Sequence, residues 1–465
     1  MAWRPLTSRE SETKVHLVSL GCPKNRVDSE VMVGTLSERD YELVDDPDGA
    51  DVIVVNTCSF IQPATEESIE TVLEMARFKE GRCKKLVVTG CMVQRYGAEL
   101  EGELPEVDHF LGTGEYHRIA DVIRRTDAPR SYVDVPMYIH DELAPRVNSW
   151  AGHSAYLKIS EGCNHRCSFC IIPKLRGKLR SRSVESLSIE AARLAAQGVR
   201  ELNLVSQDST AYGRDLYGSP ALAQLLRSLC RVDGLEWIRI HYAYPIGLPD
   251  ELLATIAEEP KVVPYLDMPL QHASGPMLKA MKRGVTRSSQ ERILSRVRSA
   301  VPDISLRTTF IVGFPGETDE DFAVLEDFVQ QQRFSRVGVF AYCQEDGTPA
   351  ASLPDQVPEE LRSARQEALM ARQARISAEL HSEQLGQLVP VMVDGVSEET
   401  KLLLEGRLAS QAPDVDGKVY ITSAPGGVRA GDILPCRITE VTAYDLVGEL
   451  IVGDVRGAGR PRRSP

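Results

Sequence analysis

No apolar run in this chain approaches the length needed to cross a bilayer, although 42% of its 465 residues are apolar. A membrane protein is therefore not expected. The opening stretch Met1-Ala-Trp-Arg-Pro-Leu-Thr-Ser lacks the apolar segment of a secretory signal, so the expected location is cytoplasmic. Net positive charge is lacking, with 67 acidic residues against 54 Lys and Arg. A formal net charge of −13 argues against a surface that coats nucleic acid and leaves room only for a local basic groove. No internal repeat is found. What the chain does have is length for two or three separate cores, and ten cysteines. Without secretion, that many thiols suggest metal or redox chemistry rather than a disulfide framework.

Three of them lie in Glu161-Gly-Cys-Asn-His-Arg-Cys-Ser-Phe-Cys170, a C-x3-C-x2-C spacing that comes just after an expected strand. Cys163, Cys167 and Cys170 can hold three irons of a cubane cluster and leave the fourth without a protein ligand. An open iron is where S-adenosylmethionine can chelate, so the spacing points to radical chemistry. Zinc is the competing reading, but zinc prefers four ligands in paired sets. His165 as a fourth ligand would lie inside the same tight loop and reads as a loop residue.

Along the chain, strand and helix patterns alternate twice and then stop. Val15–Leu20, Val52–Asn56 and Leu86–Thr89 are short apolar runs separated by helical stretches, which predicts a parallel sheet over residues 13–130. Tyr132 to Gly152 has no clear period and reads as a linker. Six further strands are expected at Tyr156–Ser160, Glu201–Ser206, Trp237–Ala243, Tyr265–Leu270, Leu306–Val312 and Arg336–Tyr342. Six strand–helix units over 150–380 suggest a partial (β/α)6 barrel rather than a full eightfold one. A long polar helix from Pro358 to about Leu385 connects it to the last segment. Residues 382–455 hold short strands between Gly- and Asp-containing turns, the pattern of a small all-β barrel. Residues 456–465 read as a disordered tail. The expected fold class is thus α/β, with an open parallel-sheet domain, a partial barrel and a small terminal β-barrel.

A second cysteine set is expected from position rather than spacing. Cys22, Cys58 and Cys91 each lie just beyond the carboxyl end of an expected strand, and in an open parallel sheet those ends share one crevice. Three buried free cysteines are the plain alternative. Three at matching positions favour a second metal site, again with one iron open to an exogenous sulfur species. Cys83 precedes its strand and is left out; Cys230, Cys343 and Cys436 have no partner spacing and read as structural.

With these six cysteines in register, the chain resembles the methylthiotransferase family of radical S-adenosylmethionine enzymes over nearly its whole length. The terminal barrel is similar to a TRAM domain. Ser19-Leu-Gly-Cys-Pro-Lys-Asn-Arg-Val-Asp-Ser-Glu30 and Leu204-Val-Ser-Gln-Asp-Ser-Thr-Ala-Tyr-Gly213 resemble the branch that modifies an aspartate of the twelfth protein of the small ribosomal subunit. The tRNA-modifying branch typically has Gln-Met-Asn where this chain has Pro23-Lys24-Asn25.

The resemblance implies two 4Fe–4S clusters, with S-adenosylmethionine as both methyl donor and radical source. Cys163, Cys167 and Cys170 would hold the radical cluster, and Cys22, Cys58 and Cys91 the auxiliary one. A deoxyadenosyl radical would take hydrogen from the aspartate β-carbon, which would then receive a methylthio group; an unidentified reductant supplies electrons. Gln207 would meet the amino group of S-adenosylmethionine. Gly313, Phe314, Gly316 and Glu317, in Thr309-Phe-Ile-Val-Gly-Phe-Pro-Gly-Glu317, would lie against its adenine, the glycines allowing close approach. His272, after the fourth barrel strand, is the candidate catalytic side chain at the barrel mouth, or else a packing residue. Lys24, Arg26 and Asp28 would shape the auxiliary pocket.

Between Ser382 and Val455, acidic residues outnumber basic ones by twelve to five. RNA-binding barrels need a positive groove, whereas this balance suits a basic ribosomal protein. A tRNA adenosine is therefore the less expected substrate. A non-enzymatic iron–sulfur sensor or RNA-associated binding protein is the remote alternative, and it would need no S-adenosylmethionine pocket.

Overall fold

The structure is a computed structural model that describes residues 13–39 and 41–451; the tail at 456–465 lies outside them. Val52-Ile-Val-Val-Asn-Thr57 is β-branched except at Asn56 and fully buried, as a strand covered on both faces requires. It forms the middle of a six-stranded sheet with β1 (Thr13–Ser19), β2 (Tyr41–Leu43), β3 (Val52–Thr57), β4 (Lys85–Gly90), β5 (His109–Leu111) and β6 (Ser131–Tyr132), in the order β2-β1-β3-β4-β5-β6. All its pairings are parallel. Helices α1 (Pro23–Ser37), α2 (Gln62–Ala76) and α3 (Cys91–Glu103) return the chain across its faces. The helix–sheet packing leaves one apolar layer around Met32, Leu36 and Ile119 and another around Val72, Met92 and Phe110.

The central unit is the expected open barrel. Its strand β7 (Ser154–Lys158) precedes a small ribbon of β8 (Ser160–Glu161) and β9 (Arg180–Ser181). It continues with β10 (Glu201–Val205), β11 (Trp237–Ile240), β12 (Val262–Asp267), β13 (Ser305–Val312) and β14 (Arg336–Ala341). The order β14-β13-β12-β11-β10-β7 is parallel throughout. The outward faces of these strands and the surrounding helices make the largest core, with Leu202, Ile238, Leu266 and Phe310 fully buried. Lys158, Glu201, Asn203, Arg239, His241 and Asp267 are also buried, an unusually polar set that demands internal partners.

The helix Glu359–Ser382 packs on β14 and leads to a closed five-stranded barrel of β15 (Leu388–Val396), β16 (Leu404–Leu408), β17 (Val419–Ser423), β18 (Ile433–Val441) and β19 (Leu446–Leu450). The segment after β16 enters the amino-terminal end of the partial barrel. There Ala409 O accepts from Arg239 at 2.7 Å and Asp416 accepts from the Tyr265 hydroxyl at 2.9 Å. Arg407 on β16 pairs with buried Glu201 at 2.8 Å and with Asp394 at 2.8 Å. The terminal barrel is therefore bolted to one end of the partial barrel, and the cysteine loop emerges at the other.

The segment Tyr132–Gly152, expected as a linker, is held in place: Arg146 bonds Glu30 and Glu190, and Ser149 bonds Glu30, so it is pinned between two units. The acidity of the terminal barrel is also partly internal. Asp394 and Asp416 are consumed in anchoring, whereas Glu398, Glu399, Glu440 and Glu449 are exposed.

Candidate functional site

Beyond β8 the chain turns at Gly162, whose φ is +81° and where a Cβ would meet Lys178 O at 2.1 Å. Only glycine fits that crossing, and it delivers Cys163 to the strand end. Cys163, Cys167 and Cys170 lie close enough in space for their charges to be felt mutually. Burial chiefly, with Asp208 and then Cys167 adding, pushes Cys163 up to about 11; burial, with Cys167 and Cys163 adding, pushes Cys170 to about 12. Such thiols keep their protons until a metal displaces them. Arg283 Nη1 donates to Cys167 Sγ at 3.4 Å, and its guanidinium stacks 4.3 Å from the Tyr244 ring. His165 stacks on the same ring and bonds Asp208 at 2.7 Å, so its ring is engaged within the loop's surroundings. A cleft of about 450 Å³ opens beside Cys163, His165, Asp208, Tyr244 and Arg283.

Cys22, Cys58 and Cys91 come after the carboxyl ends of β1, β3 and β4. The parallel register of those strands brings them together. At Gly21, φ +84°, a Cβ would sit 2.9 Å from Cys58 Sγ. Burial chiefly, with Cys58 and Cys22 adding, pushes Cys91 up to about 12. Cys22 caps α1 and Cys91 opens α3, and the positive ends of helix dipoles favour a thiolate once a metal takes the proton. Arg176 Nη2 donates to Cys91 Sγ at 3.5 Å.

Between the two sets lies a buried junction of charges. Arg176 Nη1 reaches Asp28 at 2.6 Å and Glu161 at 3.1 Å, and Arg176 Nη2 reaches Asn25 at 2.9 Å. Lys158 also bonds Asp28, and it meets Glu161 at 2.9 Å. Burial would raise the Glu161 carboxyl, but Lys158 and Arg176 outweigh it and hold the group well below the usual range. Gln207 Nε2 donates to Glu161 at 2.5 Å, leaving Gln207 Oε1 buried without a partner. Lys24 Nζ lies 3.8 Å from the Tyr242 ring and 3.3 Å from Ser206 O. The first domain (Asn25, Asp28, Cys91) and the barrel (Lys158, Glu161, Arg176) thus share one charge network.

Among the described residues, no three His, Cys, Asp or Glu side chains converge as they would on a single metal ion. A cubane of four irons takes its thiolates at separate corners, one iron to each, so three thiols per set match three of its irons. The donors suit it chemically: three thiols in each set, with Arg176 and Arg283 as counter-charge.

The softer candidates divide. His272 is fully buried; its Nδ1 accepts from Ser274 N at 2.9 Å and its Nε2 faces Glu317 at 3.4 Å. Glu317 in turn takes Gly313 N at 2.9 Å and Arg365 at 2.9 Å. This pair braces the turn after β13 rather than opening onto the barrel mouth. Phe314 is buried against Tyr342, Met277 and Met281. The close approach at Gly313 is to Arg362, whose Cγ would lie 2.1 Å from a Cβ there. Only Gly316 faces open space. Cys83 bonds Lys85 O inside the first core, and Cys436 is buried in the terminal barrel.

Arg176 and Arg283 went unseen in the sequence. Each is one basic residue in a basic neighbourhood, and nothing in spacing marks it as the one that reaches sulfur.

The fold and the matched families together define a radical S-adenosylmethionine protein of three parts. Residues 14–112 match the uncharacterized protein family UPF0004, 157–329 the radical SAM superfamily, and 385–451 the TRAM domain. The chain is 54% identical over 454 residues to the ribosomal protein uS12 methylthiotransferase RimO of Anaeromyxobacter sp. (strain Fw109-5), covering 97% of this chain and 96% of that one. It is 52% identical over 445 residues to the protein of the same name from Geobacter sulfurreducens, covering 95% and 99%. It belongs to the RimO family of methylthiotransferases. Among solved structures, the radical S-adenosylmethionine methyltransferase TsrM from Kitasatospora setae, with cobalamin and a 4Fe–4S cluster bound, is similar with a TM-score of 0.54. It covers 73% of this chain and 77% of its own at 17% identity, a likeness of fold alone.

Proposed function

We propose that this protein attaches a methylthio group to the β-carbon of an aspartate in ribosomal protein uS12. The observation that carries this reading is the convergence of two cysteine sets, from two domains, on one buried charged junction. Two 4Fe–4S clusters and S-adenosylmethionine supply what side chains cannot, the breaking of an unactivated C–H bond and delivery of sulfur. Cys163, Cys167 and Cys170 hold the cluster that activates S-adenosylmethionine; Cys22, Cys58 and Cys91 hold the one that carries sulfur. Gln207, anchored to Glu161 through its amide nitrogen, presents its free Oε1 to the ammonium of S-adenosylmethionine. Gly316 is the part of its turn that meets the ligand, while Gly313, Phe314 and Glu317 hold that turn in shape. His272 acts as a positioning residue through Glu317.

The exposed Glu398, Glu399, Glu440 and Glu449 suit a basic protein and repel phosphates, which disfavours tRNA. A ribosomal substrate supports a cytoplasmic location, and the chemistry calls for an external one-electron donor. The direct test is mass spectrometry after anaerobic turnover of reconstituted enzyme with uS12 or unmodified tRNA. A methylthio gain on a uS12 aspartate is the expected result. A gain on tRNA adenosine alone would overturn the substrate assignment.

A further inference from the structure

Burying an ammonium without a carboxylate is costly, and this chain otherwise avoids it. Lys158, Arg176, Arg182, Arg239, Arg365 and Arg407 are all buried and all ion-paired. Among the described residues, Lys24 and Arg283 are the buried cations for which no ion pair is found. Arg283 has its sulfur. Lys24 has none: its Nζ is turned past Cys22 toward the barrel, where it meets Ser206 O at 3.3 Å and the Tyr242 ring at 3.8 Å.

The support beneath Lys24 is built, not incidental. Tyr242 lies beyond β11 in the left-handed region, φ 59°, a conformation that costs a tyrosine energy and needs surrounding structure to hold it. Ser209 N donates to its carbonyl at 3.0 Å and its own N–H reaches Asp267 at 3.3 Å. Lys24 also lies in the first turn of α1, which has no acidic residue and no side-chain cap. No carboxylate therefore lies within ion-pair distance of the ammonium, although Glu161 is near enough to be felt.

We infer that Lys24 binds the side-chain carboxylate of the substrate aspartate, completing the missing ion pair, and so selects a carboxylate over an amide or a nucleobase. This rests on the methylthiotransferase reading above. The carboxylate carbon is bonded to the β-carbon, so a carboxylate fixed on Lys24 fixes the reacting carbon one bond away, between the two cysteine sets. The aromatic face of Tyr242 keeps the ammonium in place without neutralising it.

The test is a double-mutant cycle on the loaded holoenzyme, kept anaerobic. Binding of uS12 and of uS12 with the target aspartate changed to asparagine is measured for the wild type, Lys24→Met and Lys24→Arg. Iron content and the spectra of both clusters are followed in each. Lys24→Met and the asparagine substrate should each weaken binding about tenfold to a hundredfold, and combining them should cost no more than either alone. Lys24→Arg should retain most of the affinity, and S-adenosylmethionine should bind all three enzymes alike. Equal weakening of both substrates by Lys24→Met would overturn the assignment. So would a selective loss of S-adenosylmethionine binding. If Lys24→Met cannot hold its clusters, the wild type decides alone, because equal affinity for the two substrates would also overturn it. Methylthiolation of uS12 by the wild type is scored separately. Its absence would sink the functional reading, whereas its presence with an additive cycle would sink only the role of Lys24.

Discussion

Arg176 Nη2 lies 3.5 Å from Cys91 Sγ, while the same guanidinium holds Asp28 and Glu161. One side chain from the short helix Ile172–Arg176, just after the first cysteine set, therefore touches a member of the second. Replacing Arg176 with leucine leaves two buried carboxylates sharing Lys158 alone. Removing one partner of a buried ion network costs about 3–5 kcal/mol. An earlier thermal transition and loss of iron from the second set are expected by calorimetry and iron assay. A variant that melts normally with full iron would refute the joining role.

The two cysteine sets should separate by function. Cys163→Ala is expected to abolish deoxyadenosine formation and to lower iron from about eight to about four atoms per chain. Cys58→Ala should lose similar iron yet keep part of the deoxyadenosine yield while stopping sulfur insertion. Equal loss of both activities in Cys58→Ala would contradict the division of labour.

Gly21→Ala offers a subtler probe of the second set. The added Cβ would lie 2.6 Å from Cys58 Cβ, at a φ of +84° that alanine rarely adopts. The outcome expected is displaced Cys58 and weakened occupancy of that set, with the spectrum of the first set intact. Unchanged iron in both would show that the β1 turn can relax.

Stability should fall in mild acid because of His140. Its ring is buried beside Arg182, which lies 3.1 Å from Nε2, and beside Glu190. Burial, then the charges of Arg182 and Lys158, lower it to about 4 against the pull of Glu190. Its unfolded value is about 6.5. The unfolded chain therefore binds the extra proton between those values, and stability is lost as pH drops through that window, by up to roughly 3 kcal/mol. Urea denaturation at pH 7 and pH 5 should show the loss, and His140→Gln should flatten it. An equal pH slope in that variant would assign the effect elsewhere.

The terminal barrel depends on Arg407. Its pairing with Glu201 is buried on both sides, and Asp394 is half-buried beside it, so Arg407→Ala should release the barrel to limited proteolysis and cost about 3–5 kcal/mol. A protease-resistant variant would mean that the apolar contact of Trp237, Val263 and Ala412 suffices.

The first cysteine set was legible because its three members fall within one short loop, where spacing alone determines proximity. The second was legible by a longer route. Short apolar runs between helical stretches marked strands, parallel strands put their carboxyl ends together, and Cys22, Cys58 and Cys91 each stood just past such an end. Element order came from the same alternation, down to the closed terminal barrel. Side-chain partners did not. The turn Gly313–Glu317 read as a ligand-facing segment, yet its close approach is made by Arg362 from a distant helix. The acidic count of the terminal barrel read as surface, yet Asp416 reaches inward to Tyr265 and Arg307.

By itself, the sequence determined which segments become strands and helices, and where six thiols stand along them, because both depend on local periodicity and chain direction. Tertiary structure alone decided which cations meet those thiols, which carboxylates are consumed inside, and that Lys24 is left without one. Pairings such as Arg176–Asp28, 148 positions apart, and Arg283–Cys167, 116 apart, join distant segments, and no local pattern specifies which of many charged side chains will be buried together.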